Sequence, residues 1–202
     1  MRKKLLVLLL SLVLCVSLLP IGAMAAVNGS GILLVMVGDT QVTDKNASDV
    51  LGDGTVSYDS ASNTLKLNNA IVGTIVFEGN YSQATIEFTG SNKVDGSIVS
   101  WGDLTFRGSG ALDVINARES DMAAIASQDQ IIFESGTVNI SSGYGYSINT
   151  LYNVRVQGSA EVNIVHQSAY VAINSNGTLY VSGNGQLTVE NNRAFNAINA
   201  IA

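Results

Sequence analysis

A short motif recurs at a fixed interval between residues 147 and 202: SINTLYNVRVQGSAEVNIVHQSAYVAINSNGTLYVSGNGQLTVENNRAFNAINAIA. Within this stretch the triplets SIN, AIN and AIN begin at Ser147, Ala172 and Ala197, 25 residues apart. Each triplet is followed by short segments in which apolar and polar residues alternate, which is typical of β-strands with one buried face. A fixed period of this length indicates a repeat architecture.

The period continues toward the N-terminus in three apolar series. The first, with gaps of 23, 27, 23, 25 and 25 residues, is Ile75, Ile98, Ile125, Ile148, Ile173 and Ile198. The second is Leu104/Phe106, Ile131/Phe133, Val154/Val156 and Leu179/Val181. The third is Leu112/Val114, Val138/Ile140, Val162/Ile164 and Leu187/Val189.

Three short strands in each repeat, joined by Gly, Ser and Asn turns, leave no room for a helix. The blade of a β-propeller is longer, at about 40 residues. The series therefore predict an all-β solenoid over residues 55–202, namely a right-handed parallel β-helix of about six coils with about 25 residues per coil. Asn149, Asn174 and Asn199 follow the isoleucines, so we expect them to stack at one corner and to hydrogen-bond along the axis as a structural column.

The N-terminus has the pattern of a secretory signal peptide. Residues 2–4 are basic, residues 5–19 are almost wholly apolar, and Ala-Met-Ala at residues 23–25 is a cleavage site. We therefore expect a leader over residues 1–25, no membrane segment after cleavage, and a secreted or extracellular protein, with cell-surface association as a variant of this. Removing the three basic residues of the leader, which holds no acid, changes the net charge from −6 to −9. This acidity argues against nucleic-acid binding, which requires basic surfaces.

Residues 26–54 do not fit the repeat. The segment ILLVMVGDTQV predicts a strand, and an acidic, turn-rich loop follows it. Because the first coil of a solenoid exposes an edge that must be covered, these residues are predicted to form an N-terminal β cap. The C-terminal end has no equivalent segment, which predicts either a truncated gene product or an uncapped end that associates with another chain.

Residues 42–70, VTDKNASDVLGDGTVSYDSASNTLKLNNA, resemble a segment found in secreted and surface proteins of Gram-positive bacteria. In those proteins it precedes Gly- and Asn-rich β-helical repeats, and they are described as carbohydrate-binding domain-containing proteins. The resemblance is close over these residues and extends to the following coils in style only. It implies a parallel β-helix and polysaccharide binding in which calcium takes part.

The repeat does not align the paired carboxylates that a glycosidase would require. Glycosidases use paired carboxylates on one face. The two outward columns that would test this are Arg107, Glu134, Gln157 and Ser182, and Asp113, Asn139, Asn163 and Thr188. Neither column stacks two acids, and the first predicts an ion pair between Arg107 and Glu134. His166, the only histidine, is predicted to be a solvated turn residue. We therefore expect no enzyme.

Two kinds of binding site remain. Calcium prefers oxygen-rich loops, and the candidate ligands are cap aspartates: Asp39, Asp44, Asp49, Asp53 and Asp59. Sugars stack on exposed aromatic side chains, and the candidate contacts are Trp101, Tyr144, Tyr146, Tyr152, Arg155, Tyr170 and Tyr180. A flat outward strip of Ala124, Ser147, Ala172 and Ala197 is predicted to lie beside the aromatic residues on the third strand.

The leading hypothesis is a secreted or cell-surface β-helical module that binds polysaccharide without catalysis. The alternatives are a structural or adhesive surface module without sugar affinity and the remnant of a polysaccharide-degrading enzyme.

Overall fold

The computed structural model describes residues 32–79, 82–116, 123–192 and 197–200. The predicted leader, residues 1–25, lies outside this part of the chain. The described residues form 19 β-strands joined by turns, and none of them is helical. This part of the chain accordingly contains no helix that could cross a membrane.

The N-terminal strands are β1 (Ile32–Val37), β2 (Thr40–Gln41) and β3 (Val56–Asp59). All three pair antiparallel with their neighbours, whereas every later pairing in the described chain is parallel. The rest of the chain winds around three faces.

The first face contains β4 (Thr64–Asn68), β7 (Ala84–Thr89), β10 (Leu104–Gly108), the first halves of β13 (Ile131–Ser142) and β15 (Val154–His166), and β17 (Leu179–Val181). The second contains β5 (Ile71–Val72), β8 (Ser91–Asp95), β11 (Ala111–Asn116), the second halves of β13 and β15, and β18 (Gln186–Asn191). The third contains β6 (Ile75–Gly79), β9 (Ile98–Ser100), β12 (Ile125–Ser127), β14 (Ile148–Thr150), β16 (Ile173–Ser175) and β19 (Ile198–Ala200). Each face contains six parallel strands, and the chain makes about five turns between the first strand of a face and the last. The predicted parallel β-helix is therefore confirmed.

The stacking register follows the three apolar series. Each series isoleucine lies directly beside the next, from Ile75 in β6 to Ile198 in β19. The members of the other two series pair in the same way. Most of these side chains point inward and are buried, and the rings of Phe106 and Phe133 stack with centroids 4.9 Å apart. The core is therefore a continuous column along the axis, as expected when each coil buries its apolar residues against its neighbours.

The chain passes from the first to the second face within β13 and β15 without leaving the sheet. This passage uses Gly136 and Gly158, whose φ angles are +82° and +63°, in the region that favours glycine. A Cβ atom on Gly158 would lie 2.3 Å from the carbonyl oxygen of Glu134, so the close backbone approach also requires glycine here. The pairing register shifts at this point, between Phe133 and Ser135.

The N-terminal strands cover two edges of the first coil. β1 pairs antiparallel with β6 on the third face, and β3 pairs antiparallel with β4 on the first face. Because an uncovered edge is a template for aggregation, this arrangement keeps other chains from adding strands at these edges.

Candidate functional site

Each three-residue strand of the third face, from β9 to β19, carries one outward-pointing residue in its middle, and the longer β6 carries two, Val76 and Glu78. From β6 to β19 this column is Val76, Val99, Ala126, Asn149, Asn174 and Asn199. The Nδ2 atom of Asn174 donates to Oδ1 of Asn149 at 2.8 Å, and Nδ2 of Asn199 donates to Oδ1 of Asn174 at 2.9 Å. The predicted hydrogen bonds along the axis are confirmed. The predicted corner position is wrong, since the column lies in mid-strand.

The predicted outward strip of small residues is also wrong. Ala124, Ser147 and Ala172 are fully buried, and Ala197 in the last coil is half-buried. Each precedes a series isoleucine that is itself buried or, in the last coil, partly exposed. Two successive residues point inward because the chain bends just before the third-face strand, and the alternation of a regular strand does not hold across a bend.

Five of the candidate aromatic residues lie in the turns that border the third face. Trp101 and Tyr152 follow the strands β9 and β14 and are exposed, Tyr152 at 57%. On the opposite side, Tyr144 and Tyr146 precede β14, and Tyr170 precedes β16. The Tyr146 and Tyr170 rings meet edge to face, with centroids 5.1 Å apart. The structure thus divides these residues into two groups with the third face between them.

Arg155 and Tyr180 belong to the first face. Their outward column is Thr105, Ile132, Arg155 and Tyr180, which the strand register confirms. The Arg155 guanidinium carbon lies 4.5 Å from the centre of the Tyr180 ring, a cation–π geometry. Nε of Arg155 also donates to Oε1 of Gln130 at 3.3 Å, which helps to hold the guanidinium over the ring.

Two carboxyl groups in the turns between the third and first faces were not identified from the sequence. Asp103 accepts a hydrogen bond from Nε2 of Gln130 at 3.1 Å, and it also contacts Asp129. Burial raises the pKa of Asp129, and the charge of Asp103 and the hydrogen bond between the two carboxyls raise it further. Aligning the turn residues as well as the strands would have revealed this pair.

His166 is buried, so its prediction as a solvated turn residue is wrong. It ends β15, where it stacks between Ser142 and Asn191. Nε2 lies 2.7 Å from the carbonyl oxygen of Tyr170, and Nδ1 lies 2.9 Å from Oγ of Ser147. A carbonyl only accepts, so Nε2 carries the proton and Nδ1 of the neutral ring accepts from Ser147. Burial lowers the pKa of His166. The imidazole therefore holds the turn that carries Tyr170.

The predicted ion pair between Arg107 and Glu134 is wrong. Arg107 pairs instead with Glu87 of the preceding coil, with Nη2 3.0 Å from Oε2. The two residues are directly paired in β10 and β7, whereas the pairing of β10 with β13 ends at Phe106 and Phe133, one residue before Arg107 and Glu134. Both side chains are well exposed, so the pair contributes less than about 1 kcal/mol.

The second-face column was aligned correctly. Asn139 donates to Asp113 at 2.8 Å, and Asn163 donates to Asn139 at 3.2 Å. Thr188 continues the column in β18. This face therefore carries a second side-chain ladder, which provides an internal comparison for the third face.

Three of the cap aspartates stabilise turns. Oδ1 of Asp49 accepts from the backbone N–H groups of Gly52 and Gly54 at 2.9 and 3.0 Å. Asp53 and Asp59 accept hydrogen bonds from residues two or three positions later, and these bonds lower the pKa of both carboxyls. Within the described ranges, no three acidic, histidine or cysteine side chains converge as a metal site would require. Calcium binding by Asp39, Asp44 and the other cap aspartates stays a prediction.

A comparison with protein-family models places these features in a family. The model described as "Carbohydrate-binding domain-containing protein" matches residues 60–169, more than half of the chain. The match extends from the turn before β4 to the turn after β15 and includes Asn149 and four of the five aromatic residues that border the third face. No curated protein and no solved structure matches the chain. The chain belongs to the family of carbohydrate-binding domain-containing proteins.

Proposed function

We propose that this protein is a secreted or cell-surface β-helical module that binds polysaccharide without catalysis. The observation that carries the proposal is the pair of aromatic groups, with four of their five members exposed, on the two sides of the parallel strands of the third face. Aromatic rings offer sugars a large apolar face while their polar groups stay hydrated. Family membership supports the same ligand class.

The carboxyl groups support a non-catalytic role. Asp103 and Asp129 are bound to each other, and Gln130 also donates to Asp103. In the second-face column Asp113 stacks on Asn139 and not on a second carboxylate, such as glycosidases use as the acid and the nucleophile or base. The role of Asp103 and Asp129 is to join neighbouring turns beside Arg155, whose Nε donates to Gln130.

Secretion rests on the leader pattern at residues 1–25, and surface association rests on the resemblance to surface proteins of Gram-positive bacteria. Expression with the complete leader in a Gram-positive host tests both. We expect the processed protein in the culture medium or the wall fraction. Retention of the leader in a cytoplasmic product would contradict this part of the proposal.

Affinity electrophoresis through gels that contain single polysaccharides tests the binding function. We expect retardation by at least one neutral or anionic polymer, and weaker retardation when Trp101 and Tyr152 are replaced by alanine. The matched control is Ile71→Ala, which removes an exposed apolar side chain from the second face. Runs with calcium and with EDTA test the metal dependence at the same time. The absence of retardation by any polymer would contradict the proposal.

A structural or adhesive role is the alternative, and one observation favours it. Among the described strands, β17, β18 and β19 pair on one side only. Val181 and Ile198 on these strands are 50% and 40% exposed. An adhesive module that associates through this end would sediment as a dimer or larger species and would bind no polysaccharide. Release of reducing sugars from a polysaccharide would favour the third hypothesis, the remnant of a polysaccharide-degrading enzyme.

A further inference from the structure

The amide column of the third face has hydrogen-bonding capacity to spare. An Asn side chain carries two N–H donors and an oxygen with two lone pairs. In the ladder Asn174 uses one N–H toward Asn149 and one lone pair toward Asn199. The Asn174 side chain forms no other hydrogen bond with the described residues. Because Asn149 and Asn174 are half-exposed, the remaining donors and acceptors face solvent.

The surroundings of this column differ from those of the second-face ladder. There, Asp113 lies beside Lys93, and Asn163 also donates to Glu161 at 3.0 Å. On the third face β9, β12, β14, β16 and β19 hold no charged residue, and the residue that follows each of the first four is also uncharged, as in INTL at residues 148–151 and INSN at residues 173–176. Glu78 in β6 is charged and lies at the N-terminal end of the face. The acids Asp103 and Asp129 lie in the turns between the third and first faces and not on the strands of the third face.

We propose that Asn149 and Asn174 form the polar floor of a binding site for an uncharged polysaccharide chain that lies along the solenoid axis. This inference rests on the proposed function and assigns it to one face. Successive amides are separated by the strand spacing of about 4.8 Å. A polysaccharide chain along the axis therefore meets an N–H donor and an oxygen acceptor at each of these two coils. The hydroxyl groups of the sugar pair with both. The aromatic groups on the two sides, represented by Tyr152 and Tyr170, supply apolar contacts to the same chain.

The N-terminal half of the column, in β6, β9 and β12, is apolar. Val76, Val99 and Ala126 are apolar and only partly exposed, so they offer a smooth continuation on which a sugar ring can lie but no hydrogen bonds. Hydrogen-bonding specificity is therefore concentrated at β14 and β16, which have Tyr152 on one side and Tyr144, Tyr146 and Tyr170 on the other.

Calorimetric titration of the protein with two probes tests the inference: hydroxyethylcellulose as a neutral polymer and polygalacturonate as an anionic one. Replacing both Asn149 and Asn174 by alanine removes at least two hydrogen bonds to the ligand, so the affinity for the neutral polymer should fall about tenfold or more. The matched control replaces Asn139 and Asn163 of the second-face ladder by alanine. It removes a ladder of the same type and should change the affinity by less than about twofold.

Raising the salt concentration provides a second readout. Binding of an uncharged chain has no ion pairs to screen, so the affinity should stay constant as the ionic strength increases. Melting temperatures of the two double variants show whether each is folded. If the third-face double variant does not fold, Asn174→Ser replaces it, because serine keeps a small polar side chain at the surface.

The outcomes separate this inference from the function on which it rests. Loss of neutral-polymer binding in the third-face variant alone supports it. Unchanged binding in that variant, together with loss in the Trp101 and Tyr152 variants, overturns the amide floor and leaves polysaccharide binding intact. Binding of polygalacturonate alone overturns the uncharged ligand. If the unmodified protein binds no polymer, the proposed function and this inference fail together.

Discussion

Truncation of Phe133 tests whether the stacked core stabilises the solenoid. Phe133 is fully buried in the middle coils, and its ring lies on that of Phe106 with centroids 4.9 Å apart and planes 13° apart. Phe133→Ala removes the buried ring and leaves a cavity that the paired strands on both sides prevent from collapsing. Substitutions of this kind cost about 3–5 kcal/mol, a large share of the roughly 5–15 kcal/mol that stabilises a typical domain.

The free energy of unfolding should be measured by urea denaturation followed by circular dichroism. The control is Tyr152→Ala, which removes a side chain that is 57% exposed and should change stability by no more than about 0.5 kcal/mol. A loss below about 1.5 kcal/mol for Phe133→Ala, with an unchanged denaturant slope, would refute the view that each coil is held by its inward column.

Three further predictions concern single contacts. Burial lowers the pKa of His166 below its ordinary 6.5, so its contribution to stability is complete above pH 6.5 and is lost as the pH falls through the lowered value. In urea titrations at pH 7.5 and 5, His166→Gln should lose less stability on acidification than the unmodified protein, and an equal loss would contradict the buried neutral ring. Arg107→Met should lower the free energy of unfolding by less than about 1 kcal/mol, since the pair with Glu87 is exposed. If Arg107→Met lowers the free energy of unfolding by more than Glu87→Gln does, the arginine side chain also stabilises the coil by packing on it. Asp49→Ala should cost about 1 kcal/mol, because two backbone N–H groups lose their acceptor. The loss should be equal in calcium and in EDTA, and a loss seen only in calcium would instead indicate a metal site.

The arrangement of the candidate site residues was harder to predict than the coils. The aromatic residues could be placed near the third strand because they flank its isoleucines in sequence. The pairing of Arg155 with Tyr180 could be anticipated because the two residues share a column one coil apart. The contact between Asp103 and Asp129 was missed because only strand positions were aligned, and both residues lie in the turns between strands.

The strands, their register and the stacking of the core follow from the amino-acid sequence alone. Apolar residues at alternate positions, repeated about every 25 residues, can be buried together only if equivalent strands lie side by side. Where the chain bends, the direction and the contacts of each side chain depend on the tertiary structure. Ala124 and Ile125 both point inward there, and His166 is buried at the end of its strand. Glu87, and not Glu134, meets Arg107. The physical reason is that alternation holds along a straight strand, whereas at a bend or a bulge the direction of a side chain depends on the neighbouring coils.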